Sequence, residues 1–236
     1  MSAAACIINA AFGWFILPES LSAERRMAFA WKRANPIGSL RLLLSHRQLT
    51  GLAVVDLLAN VAHQVLPSVF VLYAAYRYGW GEAAVGLTLA FVGVCSAIVQ
   101  GLLIGPIVAR IGGRLALMLG LLAGGLGMAI YGLAPTGPWF YLGAPVMALW
   151  GLAGPALQEM ASRLVSPSEQ GQLQGAYSSS RIITGLLGPA LFTGTFAWLL
   201  GFLRGAPFLL AATILVAAAG VSWAVTKPSP AAARSA

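Results

Sequence analysis

Charged residues are scarce in this chain: 14 Lys and Arg and 6 Asp and Glu make up 8% of its 236 residues. Soluble domains carry about 25% charged residues, so the scarcity argues against a water-soluble protein. The formal net charge is +8, a value that also suits nucleic-acid binding. However, the cationic residues cluster between long apolar stretches, a pattern typical of membrane topology. We therefore expect a lipid bilayer as the partner, and no nucleic acid.

Several chemical signatures are also missing. The two cysteines, Cys6 and Cys95, lie in apolar segments without metal-ligand neighbours, so neither a disulfide nor a metal site is expected. The lysines are Lys32 and Lys227, and no phosphate-binding G-x-x-x-x-G-K-[ST] motif occurs, which argues against ATP-driven chemistry. No H-E-x-x-H or G-x-S-x-G motif is present either. The chain is predicted not to be an enzyme and to need no cofactor.

Long apolar segments dominate the remaining sequence, each near the length of about 20 residues that an α-helix needs to cross a bilayer. Stretches such as residues 115–134 are apolar on every face, whereas barrel strands alternate apolar and polar residues. The prediction is an all-α membrane protein with six transmembrane helices, spans one to six, at residues 49–76, 83–109, 115–134, 139–161, 175–200 and 207–225.

The flanking regions complete the domain organisation. Residues 1–17 are interpreted as part of a preceding transmembrane helix, 18–48 as a basic loop, 49–226 as the six-helix bundle, and 227–236 as a disordered tail. Loop 18–48 holds six Lys and Arg, and the same predicted side has five more: Arg110, Arg114, Arg163, Lys227 and Arg234. Positive residues favour the cytoplasmic side, so loop 18–48 and the C-terminus are predicted to be cytoplasmic, in the inner (plasma) membrane.

A polar stripe on span one is the main functional signal. Its members occur at i, i+4, i+7 and i+8, and therefore share one helical face: Asp56, Asn60, His63 and Gln64. Polar groups in lipid are costly and usually face a cavity or another helix. Further polar residues in other spans are candidates for the same substrate and proton pathway: Gln100, Gln158, Glu159 and Arg181.

Simpler roles exist for some of these residues. Arg181 can snorkel to the headgroups, Glu159 can pair with Arg163 at the surface, and His63 can serve only as an interhelical hydrogen-bonding group. Because Asp56 and Arg181 lie at matching depths of about 10 Å from the cytoplasmic side, a buried Asp56–Arg181 pair is a further hypothesis. The pairs Gly101/Gly105 and Gly120/Gly124 match the G-x-x-x-G packing motif, although glycine is common in membrane helices.

Several runs resemble tetracycline-efflux-type transporters of the major facilitator superfamily. The resemblance is carried by HQVLPS at 63–68, VGLTLA at 85–90, PALQ at 155–158 and EQGQLQG at 169–175, with LPES at 17–20 similar to the end of the sixth helix. RIGGR at 110–114 resembles the second copy of the family's basic loop motif. The residues of this chain that are candidates for the cytoplasmic loop motif are Gly105, Arg110, Gly112 and Arg114.

The resemblance implies the C-terminal half, helices seven to twelve, of a twelve-helix drug:proton antiporter. A proton gradient would then drive efflux of a small molecule, a six-helix N-terminal half would be the partner, and Asp56 or His63 would carry the proton. Two features depart from the family pattern. Ala123-Gly124-Gly125 stands where tetracycline exporters often have an acidic residue, and the basic loop has Val108-Ala109 in place of its aspartate. The alternative is a truncated, non-transporting membrane fragment or a half-subunit.

Overall fold

Helices form nearly all the regular structure, as lipid requires of a backbone that must pair its own polar groups. The computed structural model describes residues 6–7, 11–13, 42–44 and 46–227. No strand occurs within these ranges, which confirms the all-α prediction. The predicted partial helix at 1–17, the loop at 18–48 and the tail at 227–236 lie almost entirely outside the described residues.

Between Arg47 and Lys227 the described chain folds into eight α-helices. They are α1 (Arg47–His63), α2 (Val65–Tyr78), α3 (Glu82–Ile98), α4 (Ile104–Leu133), α5 (Gly137–Ala148), α6 (Ala153–Ser162), α7 (Gln170–Leu199) and α8 (Ala206–Val225). A π-helical turn, Val99–Leu103, joins α3 to α4, and a 3-10 turn, Leu149–Leu152, joins α5 to α6. A second 3-10 turn, Pro167–Glu169, leads into α7.

These elements combine into five helical segments that are long and apolar enough to cross a membrane. One of them, Glu82–Leu133, has 52 residues and includes the predicted spans two and three. A straight helix of that length would reach about 78 Å, more than twice the hydrocarbon thickness of about 30 Å. The backbone leaves the helical region at Gly112, with φ 78° and ψ 159°. This segment therefore contains two crossings that meet at Gly112, where the sequence predicts a turn over residues 110–114.

Prolines account for two interruptions within the crossings. Pro67 has no N–H to donate to the carbonyl of His63, four residues earlier, and its ring crowds that carbonyl. Helix α1 ends at His63 and α2 begins at Val65. Pro155 stands in the same relation to Gly151, which lies in the 3-10 turn before α6. Each break therefore falls beside a residue that lines the cavity described below.

Close glycine contacts hold α4 against the segment that includes α5 and α6. A methyl group added at Gly120 would lie 2.7 Å from the backbone nitrogen of Ala153, and one at Gly124 would lie 2.8 Å from the ring of Trp150. At Gly101 and Gly105 an added methyl group would meet nothing within 4 Å among the described residues. The pair Gly120/Gly124 thus mediates close helix packing, and the pair Gly101/Gly105 does not.

Hydrogen bonds join the helix ends on both sides of the bundle. The carbonyl of Ala134, directly after α4, accepts bonds from Arg77 Nη2 (3.1 Å) and the Tyr78 hydroxyl (2.9 Å) at the end of α2. At the opposite end, Arg114 Nε donates to Thr226 Oγ1 (3.1 Å). The Arg114 guanidinium also stacks 4.8 Å above the Trp223 ring of α8. These contacts set the relative heights of α2, α4 and α8.

Candidate functional site

A cavity of about 580 Å³ lies among the helices and receives side chains from most of them. We call it the central cavity. Its polar lining consists of Asp56, Asn60 and His63 from α1, Ser96 from α3, Gln100 from the π-helical turn and Arg181 from α7. The sequence analysis selected all of these residues except Ser96 as pathway candidates.

Helix α1 presents its polar residues to the cavity along its second half, after apolar residues that pack into the core. Leu49, Leu52 and Val55 are fully buried in the core, while Asn60 and His63 line the cavity. Asn60 Nδ2 donates to the backbone carbonyl of Asp56 at 2.8 Å, one turn earlier. Three of the four residues of the predicted stripe, Asp56, Asn60 and His63, therefore line the central cavity.

Asp56 and Arg181 both line the central cavity, and the guanidinium is close enough to act electrostatically on the carboxylate. Within residues 46–227, however, no ion pair of 4 Å or less joins Asp56 to Arg181, whereas one joins Glu159 to Arg163. The Asp56 side chain is only 9% exposed, and its Oδ2 atom has no hydrogen-bond partner among the described residues. The two charges thus share a cavity without direct contact, unlike the pair hypothesised from the sequence.

Trp150 is a cavity residue that the sequence analysis missed. Its ring centroid lies 5.5 Å from that of His63, with a tilt of 49° between the planes. In membrane proteins tryptophan is enriched at the two membrane–water interfaces. A tryptophan in the middle of span four is unusual, and this position could have identified Trp150 as a cavity residue. Together, Trp150 and His63 form an aromatic surface beside the polar residues of the cavity wall.

The remaining pathway candidates lie elsewhere. Gln64 packs against Gly188 of α7, where an added methyl group would collide with its side chain. Glu159 Oε1 accepts from Arg163 Nη2 at 2.6 Å, with 41% and 76% of the two side chains exposed. Gln158 lines a neighbouring cavity together with Gln174 and Tyr177, and neither of these two was selected from the sequence.

The four loop-motif residues have different surroundings. Gly112 has a positive φ of 78°, a conformation that side chains with a Cβ rarely adopt. Arg114 bonds to Thr226, while Arg110 and Gly105 are exposed. Gly112 and Arg114 therefore shape and anchor the turn between spans two and three. No group of three His, Cys, Asp or Glu side chains suited to a metal ion is found in the part of the chain that the structure describes.

Comparison with known proteins places this architecture in a family. The model of the Major Facilitator Superfamily matches residues 1–189. The chain is 30% identical over 193 residues to the tetracycline resistance protein, class C, of Escherichia coli, covering 80% of this chain and 48% of that protein. It is 33% identical over 182 residues to the class G protein of Vibrio anguillarum, covering 77% and 46%. The chain thus spans about half the length of these relatives.

Solved structures share the fold at low sequence identity. The human organic anion transporter MFSD10 (TETRAN) superimposes with a TM-score of 0.76 at 20% identity, covering 92% of this chain and 54% of that one. The Escherichia coli fucose:proton symporter FucP gives a TM-score of 0.67 at 13% identity, covering 94% and 53%. From the family match and this shared architecture, the chain belongs to the Major Facilitator Superfamily of multi-pass membrane transporters and is not an enzyme.

Proposed function

We propose that this chain is the C-terminal half of a proton-coupled exporter of small drug-like molecules of the tetracycline or multidrug type, working by alternating access. The observation that carries the proposal is the central cavity, where Asp56, Asn60, His63, Gln100 and Arg181 meet inside an otherwise apolar bundle. Polar and ionisable groups within a membrane mark substrate and proton pathways. The names of the class C and class G relatives support tetracyclines as the starting substrate class.

A six-helix N-terminal half is the proposed partner. In alternating access, one helical bundle rocks against another around a site near the bilayer midplane. The chain spans about half the length of its relatives, and its central cavity would form one wall of such a site. The proposed location is the inner (plasma) membrane, with loop 18–48 and the C-terminus cytoplasmic, and the driving force is the proton gradient without a cofactor.

Asp56 and His63 are the proposed proton carriers, because both are titratable and both line the central cavity. Ala123-Gly124-Gly125 stands where tetracycline exporters often have an acidic residue. We therefore favour the broader drug class over tetracycline itself. Gly124 there packs directly against Trp150, which leaves no space for an acidic side chain.

Uptake into everted membrane vesicles tests this proposal, because in these vesicles an exporter transports its substrate into the lumen. The chain is assayed alone and together with the N-terminal half of the class C relative, with a ΔpH imposed and tetracyclines and cationic dyes as substrates. We expect ΔpH-driven transport in the paired sample. It should be lost when Asp56→Asn and His63→Gln are combined, and retained in Thr213→Val, whose hydroxyl donates to the Leu210 carbonyl of its own helix. Unchanged coupling in the double variant would refute the proton role.

The second candidate is a non-transporting membrane fragment or a half-subunit, which is favoured by the roughly half-length match to the relatives. If the chain is a fragment, it should insert stably into the membrane, and neither the chain alone nor the paired sample should show transport. If the chain is a half-subunit, transport should occur only in the paired sample, with co-purification of a six-helix partner.

A further inference from the structure

Two cations converge on one exposed tryptophan at the end of the bundle that carries the turn 110–114. The Arg114 guanidinium lies 4.8 Å from the centroid of the Trp223 ring, and the Lys227 ammonium lies 5.9 Å from it. We call Arg114, Trp223 and Lys227 the basic cluster. A cation within about 6 Å of an indole centroid is attracted to the face of the ring, so the tryptophan holds both charges at one place.

Arg114 is fixed in position within this cluster. Its Nε atom donates to Thr226 Oγ1 at 3.1 Å, and the Thr226 hydroxyl in turn donates to the carbonyl of Ser222 at 2.7 Å. The two Nη groups of Arg114 have no hydrogen-bond partner among the described residues. A planar guanidinium with free Nη groups suits the oxygens of a phosphate, and a side chain that is already held loses little freedom on binding.

No carboxylate neutralises the basic cluster. In the described part of the chain, no ion pair of 4 Å or less joins Arg114 or Lys227 to an acidic residue. Helices α4 and α8 contain no Asp or Glu. Glu159 of α6 approaches the neighbouring Gly113, but it is bonded to Arg163. The C-terminal end of α8 contributes only about half a negative charge, so the cluster keeps a net positive charge.

An apolar outer surface adjoins the two cations. Leu115 and Leu119 of α4 and Val216 of α8 are exposed, and Trp223 is 48% exposed. Gly220 lies between Val216 and Trp223 on one face of α8, and a methyl group added there would meet nothing within 4 Å among the described residues. A ligand with an anionic group and hydrocarbon chains would match both the cations and this open apolar face.

We propose that the basic cluster binds the phosphate group of an anionic phospholipid, whose acyl chains lie against the outer surface of α4 and α8. The inference goes beyond the proposed function and requires only that the chain lies in a membrane. In the proposed topology the cluster faces the cytoplasmic leaflet, whose anionic lipids attract basic residues. A phosphate held by both cations bridges the turn between spans two and three to the end of α8.

Native mass spectrometry of the full chain in detergent tests this site. The probes are phosphatidylglycerol, which is anionic, and phosphatidylcholine, which is zwitterionic, with the same acyl chains. We expect phosphatidylglycerol to bind about tenfold more tightly, because two cations face its headgroup. Lys227→Gln should weaken its binding about fivefold, the effect expected for one cation near an anionic lipid. Lys227→Arg keeps the charge and should retain the affinity.

Arg204→Gln is the matched control at the opposite end of the bundle. The Arg204 guanidinium also lies over an aromatic ring, 5.4 Å from the centroid of Tyr76, but no second cation is recorded over that ring among the described residues. Its removal should leave the affinity for phosphatidylglycerol unchanged. Arg114→Gln tests the other cation of the cluster. If that variant fails to fold, Lys227→Gln decides alone, because Lys227 is exposed and lies outside the packed core.

Three results would overturn the site. The first is equal affinity for the two lipids in the unaltered chain. The second is a preference for phosphatidylglycerol that persists in Lys227→Gln, since the lipid would then bind elsewhere. The third is displacement of the lipid by inorganic phosphate at the same concentration, which would assign the cluster to a soluble phosphate compound. None of these measurements depends on ΔpH-driven uptake, so failure of the lipid site leaves the proposed function standing.

Discussion

At the scale of single residues, buried hydrogen bonds compensate for backbone groups that a helix leaves unpaired. The carbonyl of Tyr131 would normally accept from the residue four positions later, which is Pro135 and has no N–H. The hydroxyl of Tyr73 donates to this carbonyl instead, at 2.9 Å, and Tyr73 is fully buried. A tyrosine on α2 thus provides the hydrogen bond that the last turn of α4 lacks.

The first prediction concerns this hydrogen bond. Tyr73→Phe should destabilise the bundle by about 1 kcal/mol, because it leaves the Tyr131 carbonyl unpaired. Tyr131→Phe should be nearly neutral, since the Tyr131 hydroxyl has no partner among the described residues. Unfolding by sodium dodecyl sulfate in mixed micelles measures both. Equal stability of the two variants would contradict the role of the Tyr73 hydroxyl.

At the scale of helices, close approach depends on where the small residues point and not only on their spacing. Gly120 and Gly124 face the backbone of Ala153 and the ring of Trp150. Gly101 and Gly105 have the same spacing, but an added methyl group at either one would meet no described atom within 4 Å. Without a hydrophobic force between helices in lipid, such backbone contacts hold the bundle together through van der Waals packing.

The second prediction compares these two pairs. Gly120→Ala should destabilise the bundle by about 1–3 kcal/mol, because the new methyl group overlaps Ala153 and forces α4 away from α6. Gly101→Ala should be tolerated, since its surroundings among the described residues are open. Thermal unfolding in detergent, followed by circular dichroism, separates the two. A loss of stability in Gly101→Ala as large as in Gly120→Ala would refute this difference.

At the scale of the whole molecule, the distribution of charge predicts the orientation. The turn around Thr136 and the loop with Ser168 lie at opposite ends of the segment Gly137–Ser162, and both residues are exposed. The side with Ser168 is also the side with the larger share of Lys and Arg in the predicted topology. The positive-inside rule therefore assigns Ser168 to the cytoplasm and Thr136 to the outside.

The third prediction tests this orientation in intact cells. With Cys6 and Cys95 replaced by serine, Thr136→Cys should react with a membrane-impermeant thiol reagent, while Ser168→Cys should react only after the membrane is opened. The two variants are controls for each other. The reverse pattern would place the basic ends outside and overturn the proposed topology.

Much of the fold was predictable because it follows from local properties of the sequence. The spans required only the length and polarity of each segment, and the break at Gly112 was expected within the turn at 110–114. The proline interruptions at His63 and Gly151, and the π-helical turn bearing Gln100, were not predicted. The two proline interruptions depend on how the backbone relaxes around Pro67 and Pro155 in a packed bundle.

The candidate site was predictable in part. Asp56, Asn60 and His63 followed from helical spacing alone, and Gln100 and Arg181 from being polar within an apolar span. Gln64 belongs to the same stripe, yet it packs against Gly188. Trp150 was missed, because its place beside His63 depends on helices that meet only in the folded bundle.

The sequence by itself determined that this chain spans a membrane, how many crossings to expect and which helix carries the polar stripe. These properties depend on residue type and on spacing along one helix. Only the tertiary structure decided that Asp56 and Arg181 line the central cavity without direct contact, and that one glycine pair packs while the other does not. Those outcomes depend on the rotation and height of each helix relative to its neighbours, which no single segment encodes.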